Sequence, residues 1–407
     1  MSNKSRTVFY TSFFTLTLVI FGIIMAHELK RGDFPQHIAW AREYATNGYL
    51  YKIPHTLFAK SVVIVRALLP ANFLVRVSVL AKQVYDLKSY DISAWIVMIL
   101  SYLGTVIILL KRFLTDWSEL QNKKKELFAG IAVLIVLLVG PIFLFTIPGR
   151  MYFGYIVPNP YHSPTYVLFR PFVLLAFFGM ADNLFAKWSW REAFIMALAL
   201  LCGSLAKPNF TLTILPALSL LILFVYIKKF KKLNWPFLIV PIAITSILVL
   251  GSQYIVNYSG DRGDQIIFAP FSAILYLVPN IPSFFLFLFL SIAFPLLVSI
   301  FYFKQLKSKI TFQLAWINFF VSLSYAMLLG EKFNLGSNNF LWCVMIALFL
   351  LFFETISCWF KDFLERGFFK QEVLWKNIAL GGTLLLHLAC GIIFYLTVLQ
   401  TAGMWVS

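Results

Sequence analysis

Directly after its first long apolar run the chain reads His27-Glu28-Leu29-Lys30-Arg31-Gly32-Asp33-Phe34-Pro35-Gln36-His37. Asp33 and His37 stand four residues apart, a spacing that can place both on one helix face or at one loop mouth. A carboxylate within hydrogen-bond reach of a hydroxyl can take its proton, a contribution of about 10²- to 10⁴-fold in rate. Two residues before Pro35, the same aspartate also fits the N-cap of a helix, and the two roles are compatible. Negative charge that develops elsewhere in such a reaction needs cations or donors around it. Arg150, Lys207 and Lys332 fall between apolar runs, and Arg170 falls inside one. His55, Asn159 and His162 occupy the same set of loops, as do Glu331 and Asn338. Glu331 opens a loop just past an apolar run, where pairing with Lys332 or an inward-facing contact would account for it.

The elements that must position these residues are membrane helices. The chain of 407 residues is 60% hydrophobic and only 13% charged, with a mean hydropathy of +0.83. Too little charge is present to cover a water-soluble surface, so the bilayer is the solvent for most of the chain. About eleven apolar stretches are predicted to span, near 8–26, 91–110, 127–148, 165–183, 193–206, 208–227, 235–255, 283–303, 311–329, 340–360 and 377–399. The expected fold is an all-α polytopic membrane protein, one transmembrane domain over 1–407. The stretch 193–206 is short and runs straight into Lys207-Pro208-Asn209, which predicts a helix break beside a lysine.

The net charge of +17 does not indicate nucleic-acid binding, because the basic residues are dealt out over short loops and not gathered on one face. Alternate loops hold most of them, Lys228, Lys229, Lys231 and Lys232 for example. That asymmetry places the N-terminus in the cytoplasm of a multi-pass plasma-membrane protein, and the loop at Asp33 outside. Segment 27–90 mixes apolar and basic residues at helical spacing and is expected to form helices lying in the outer interface. Cys202, Cys343, Cys358 and Cys390 fall in or beside apolar runs and read as small core residues. His37, His55 and His162 are too irregularly spaced for a metal motif. The residues indicate no particular cofactor, and a divalent cation is left open.

An acidic residue in the first outer loop, just after span one and followed by interfacial helices, resembles the GT-C superfamily of membrane glycosyltransferases. That group includes protein mannosyltransferases and aminoarabinose transferases. Gly32-Asp33 matches the position of their loop acid, although many relatives carry a pair of acids there. Pro158-Asn159-Pro160-Tyr161-His162-Ser163-Pro164-Thr165 looks like a second outer-loop motif of some GT-C-like proteins. The run from Glu331 to Trp342 is similar to a Glu…Arg…Gly-Asn-Phe-Trp pattern, with Lys332 and Asn338 departing from it.

The resemblance implies transfer of a sugar from a polyprenyl-phosphate donor to a hydroxyl of a cell-surface glycan or lipid-linked acceptor. Asp33 would be the base. Lys207, Arg150 and His162 would face the phosphate, with Arg170 a further candidate, and Glu331 and Asn338 would face the sugar. With one candidate base and no nucleophilic carboxylate beside it, the expected outcome is inversion. Rival readings are a flippase or transporter for a lipid-linked glycan and a polysaccharide polymerase or ligase.

Overall fold

The computed structural model describes residues 3–48, 56–70, 76, 88–120, 124–144, 154–258, 265–367 and 374–400. The chain is an all-α membrane bundle. Eight helices among the described residues are long and apolar enough to cross a bilayer. They are α1 (Asn3–Glu28), α4 (Ser89–Asp116), α6 (Pro164–Asn183), α9 (Thr245–Tyr258, with the turns before it), α10 (Ile281–Phe301), α11 (Ile310–Leu328), α12 (Leu341–Arg366) and α13 (Leu374–Gln400). Three further stretches expected to span form shorter helices: α5 (Lys125–Leu138), α7 (Trp190–Ala206) and α8 (Asn209–Phe224). At 1.5 Å per residue, the 14 residues of α5 cover only about 21 Å of a core about 30 Å thick. Among the described residues, then, eight of the expected eleven stretches reach spanning length by themselves.

α12 is the axis of the bundle. Its stretch Leu341 to Phe353 is apolar on every face, and a helix of that kind is stable only when surrounded. In the span that contains it 89% of the apolar window is buried, against 28% in α13 and 33% in α1, which are peripheral. α11, α10 and α5 pack on α12, while α4 packs on α1 and α6, and α6 on α7. Two short helices, α2 (Phe34–Asn47) and α3 (Thr56–Leu68), follow α1 and pack on each other and on α4. Their presence matches the helices expected in the first loop.

α5 stops at Leu138 because Gly140-Pro141 cannot continue it, and 139–144 runs on without helix. Freed peptide groups at such a place must be satisfied inside the protein. His387 of α13 does most of this. Its Nε2 accepts from the Phe294 N–H at 3.3 Å, so Nδ1 carries the proton and donates to Gly140 O at 2.6 Å. The Phe294 N–H is available because Leu290 O, its usual helical partner, accepts from Ile142 N instead. Asn159 donates Nδ2 to Val136 O and Val139 O, at 2.9 and 3.1 Å. The backbones of Gly140 and Gly391 touch here, and a Cβ on either would meet backbone atoms of the other's segment.

Nothing in the sequence predicts a small β-ribbon among the described residues, β1 (Ile266–Phe268) paired antiparallel with β2 (Leu329–Glu331). It ties the end of α11 to the segment before α10 and puts Glu331 opposite Ile266. At the opposite end of α4 from the 27–48 loop, Lys309 bridges Asp116 (2.8 Å) and Glu354 (3.0 Å).

Replacing His387 with Phe should leave Gly140 O and the Phe294 N–H buried and unpaired, at a cost of about 1–3 kcal/mol for each group. Unfolding of the purified variant in detergent measures this. A variant as stable as the parent would mean that the break is satisfied by other groups.

Candidate active site

The site begins with a turn. α1 ends at Glu28, and the chain reverses through Leu29–Asp33 into α2. Gly32 adopts φ +54°, where a side chain would be strained. A Cβ there would also lie 2.8 Å from His162 Cβ and 3.0 Å from its carbonyl oxygen. The neighbouring Asp33 N–H donates to that same His162 oxygen at 3.2 Å. Two loops far apart in sequence are thus joined backbone to backbone. The turn is further held by Asp91, at the start of α4 and almost fully buried. It accepts from Lys30 at 2.7 Å and lies 3.9 Å from Arg42 of α2.

Asp33 occupies the N-cap position of α2, with Pro35 in the first turn, but its side chain makes no capping hydrogen bond. The capping role therefore does not commit the carboxylate, which is exposed at the mouth of the turn. His162 and Lys207, both within its electrostatic reach, lie just inside.

Lys207 is placed by its successor. A residue before proline is driven out of the α region, and Lys207 is extended at φ −159°, ψ 119°. α7 ends there and α8 begins at Asn209. The carbonyl of Ser204 would bond the amide that Pro208 lacks, and Gln253 Nε2 fills it at 2.8 Å. The lysine itself is buried, its Nζ 4.0 Å above the Trp342 ring. Burial pulls its ammonium down to about 8, a fall opposed by Asp33. It remains charged at neutral pH. His162 stands 5.4 Å from the same Trp342 ring; burial lowers its basicity, Asp33 raises it and Lys207 lowers it. His37 is buried edge-on against Trp40 and Phe58, and burial followed by Lys207 pushes it down to about 3. The arrangement is one cation and two neutral imidazoles behind an exposed carboxylate.

Glu331 joins through a relay. Its Oε2 accepts from Asn339 Nδ2 at 2.7 Å and from Ser337 Oγ at 3.3 Å. The carbonyl of Asn339 accepts at 2.7 Å from the Nδ2 of Asn209, two residues after Lys207. Asn338, in the left-handed region at φ 49°, helps to line a recess of only about 10 Å³ with Glu331, Asn334 and Ser337.

Other candidates fall elsewhere. Asn159 braces the break after α5, as described above. Lys332 is exposed, with Nζ 3.5 Å from Gln265 Oε1 and 5.4 Å from the Phe333 ring. Arg170 lies two turns further along α6 than His162, buried among aromatic rings and not at the rim. His55 and Arg150 lie outside the described residues. Among the described residues no group of three His, Cys, Asp or Glu side chains is arranged to hold a metal ion.

Trp342 and Asn209 belong to the site without a signal in sequence, since an aromatic or an amide near a helix end is commonplace. Glu28 did carry one, as a carboxylate ending an apolar run. Compared with known proteins, the chain matches no family model, no curated protein and no solved structure.

Because Lys207 is held below its ordinary value of 10.5, the folded chain binds this proton less readily than the unfolded one between about pH 8 and 10.5. Stability from this group should therefore rise with pH across that window. Lys207→Met should flatten that part of the stability–pH curve. Parallel curves for parent and variant would show that Lys207 is not held in this way.

Proposed function

We propose that this chain is an inverting glycosyltransferase that moves a sugar from a polyprenyl-phosphate donor to a hydroxyl of a cell-surface glycan or lipid-linked acceptor. It would sit in the plasma membrane with its N-terminus in the cytoplasm and Asp33 outside. In that case α5, α7 and α8 complete eleven passes. The observation that carries this reading is the meeting of an uncapped, exposed carboxylate with a buried lysine and a neutral imidazole, contributed by three separate loops.

The chemistry fits that arrangement. The leaving phosphate gains negative charge as the anomeric C–O bond breaks, and Lys207 offers an ammonium there, already desolvated. A neutral His162 donates one N–H without adding charge. The acceptor hydroxyl approaches from the exposed side and gives its proton to Asp33. Glu28 is buried, and among the described residues of the 28–33 turn Asp33 is the exposed carboxylate. One carboxylate supports inversion. Glu331 and Asn338 would border the sugar.

A buried arginine inside a span also suits a flippase for a lipid-linked glycan, and Arg170 favours that second reading. One assay separates the two. Protein in nanodiscs is given prenyl-phosphate hexoses and an acceptor glycan, and release of prenyl phosphate is followed. Asp33→Asn should slow release about 10²-fold or more with donor KM little changed. Full activity in that variant would remove Asp33 from the chemistry. Electrogenic uptake with no phosphate release in the parent would favour the flippase.

A further inference from the structure

Near the Asp33 turn α1 and α4 are tied together. Trp95 Nε1 donates to Gly22 O at 2.9 Å, and the rings of Phe21 and Tyr102 stack at 4.3 Å. Toward their far ends the two helices leave a gap. There Phe9 and Phe13 of α1 turn to α5, where a Cβ on Gly130 would meet both rings. Tyr10 and Phe14, each one position further round α1, instead face α4 across a groove of about 550 Å³.

The α4 wall of this groove is one helix face, Ile107, Leu110, Lys111 and Leu114, continued by Thr115 and by Ser118 in the turn that follows. From Ile107 to Ser118 the wall runs about 16 Å along the axis. That length is close to one leaflet of a hydrocarbon core about 30 Å thick. Polarity is graded along it. The inner end, at Phe14, Ile107 and Leu110, is apolar, and Ile107 is 52% exposed, which turns it to lipid. The outer end carries the Lys111 ammonium and two hydroxyls. Thr115 spends its proton on Lys111 O at 2.9 Å, whereas Ser118 Oγ and Lys111 Nζ have no partner among the described residues. Neighbouring cations are paired, Arg112 with Asp116 and Asp182, and Arg6 with Glu126. No residue lining the groove is acidic.

An occupant must therefore bring a chain for the apolar end and an anion for Lys111 and Ser118. Free phosphate meets only the second demand. A zwitterionic phospholipid would set its own cation beside Lys111 with no acid to receive it. We propose that the groove between α1 and α4 holds one anionic phospholipid, its acyl chain along Phe14 and Ile107 and its phosphate at Lys111 and Ser118. The site lies at the opposite end of both helices from Asp33, and it is independent of the reaction carried out there.

The test uses the full chain in phosphatidylcholine nanodiscs. A trace of phosphatidylglycerol or of phosphatidylcholine with a photoreactive acyl chain is added, and labelled peptides are mapped by mass spectrometry. The phosphatidylglycerol probe should label α1 near Phe14 and α4 near Ile107 about fivefold more than the phosphatidylcholine probe does. Lys111→Gln should remove that preference, and Lys111→Arg should keep it. Lys111 is exposed and unpaired, so neither change threatens the fold. Lys228→Gln, at an exposed lysine outside the groove, should change nothing. Equal labelling by the two probes, or labelling confined to other helices, would overturn the site. An equal loss in Lys111→Gln and Lys228→Gln would reduce the effect to general attraction between basic residues and acidic lipid, and would overturn it too. Displacement of the probe by soluble glycerol phosphate, which has no chain, would do the same.

Discussion

A bilayer offers no hydrogen bonds, so every peptide group that leaves a helix must be met by another part of the protein. The rest of this structure follows from how that demand is answered at two places. After α5, His387, Asn159 and the opened turn of α10 take up the freed groups of 139–144. Between α7 and α8, Gln253 bonds the carbonyl that Pro208 leaves empty. Each break is braced by side chains from remote helices, and each brace fixes helices relative to one another. The second break also turns Lys207 toward Trp342 and the His162 loop. A backbone irregularity and a charged site are the same feature there.

Electrostatics then divides the labour within the site. Burial keeps both imidazoles from charging, with Lys207 adding to it, while Asp33 keeps the lysine itself from losing its proton too easily. The buried positive charge of Lys207 is thus surrounded by neutral donors and aromatic surface, with the exposed Asp33 at the entrance. Low dielectric sharpens each of these interactions compared with water. Asp91 holds the entrance in place through Lys30 and Arg42, so the geometry of the acid depends on a residue buried behind it.

Much of this was legible from residue order, and the reasons are physical. Lys207 was readable because Pro208 both ends the helix and dictates the conformation before it. Asp33 was readable because an acid just past a long apolar run must go somewhere polar. The helical class followed from hydropathy alone. Span length was misjudged for α5 because Gly140-Pro141 sits inside an apolar stretch, and hydropathy is blind to a lost peptide bond partner. Asn159 was placed with the ligand contacts because its loop is polar, yet the α5 carbonyls claim its amide. Lys332 follows a three-residue strand pairing that sequence periodicity cannot reveal, and this turns it to Gln265. Arg170 was seen as anomalous, but its ring of aromatic neighbours comes from three helices and exists only after folding.

The contact between Gly32 and His162 has a further consequence. With no side chain between them, the two loops share one surface, and neither can shift by even an ångström without pushing or dragging the other. A molecule seated on the histidine would be felt at the aspartate through main chain alone, with no helix needing to tilt. Any displacement of one turn would then be a displacement of both, over an unmoved bundle.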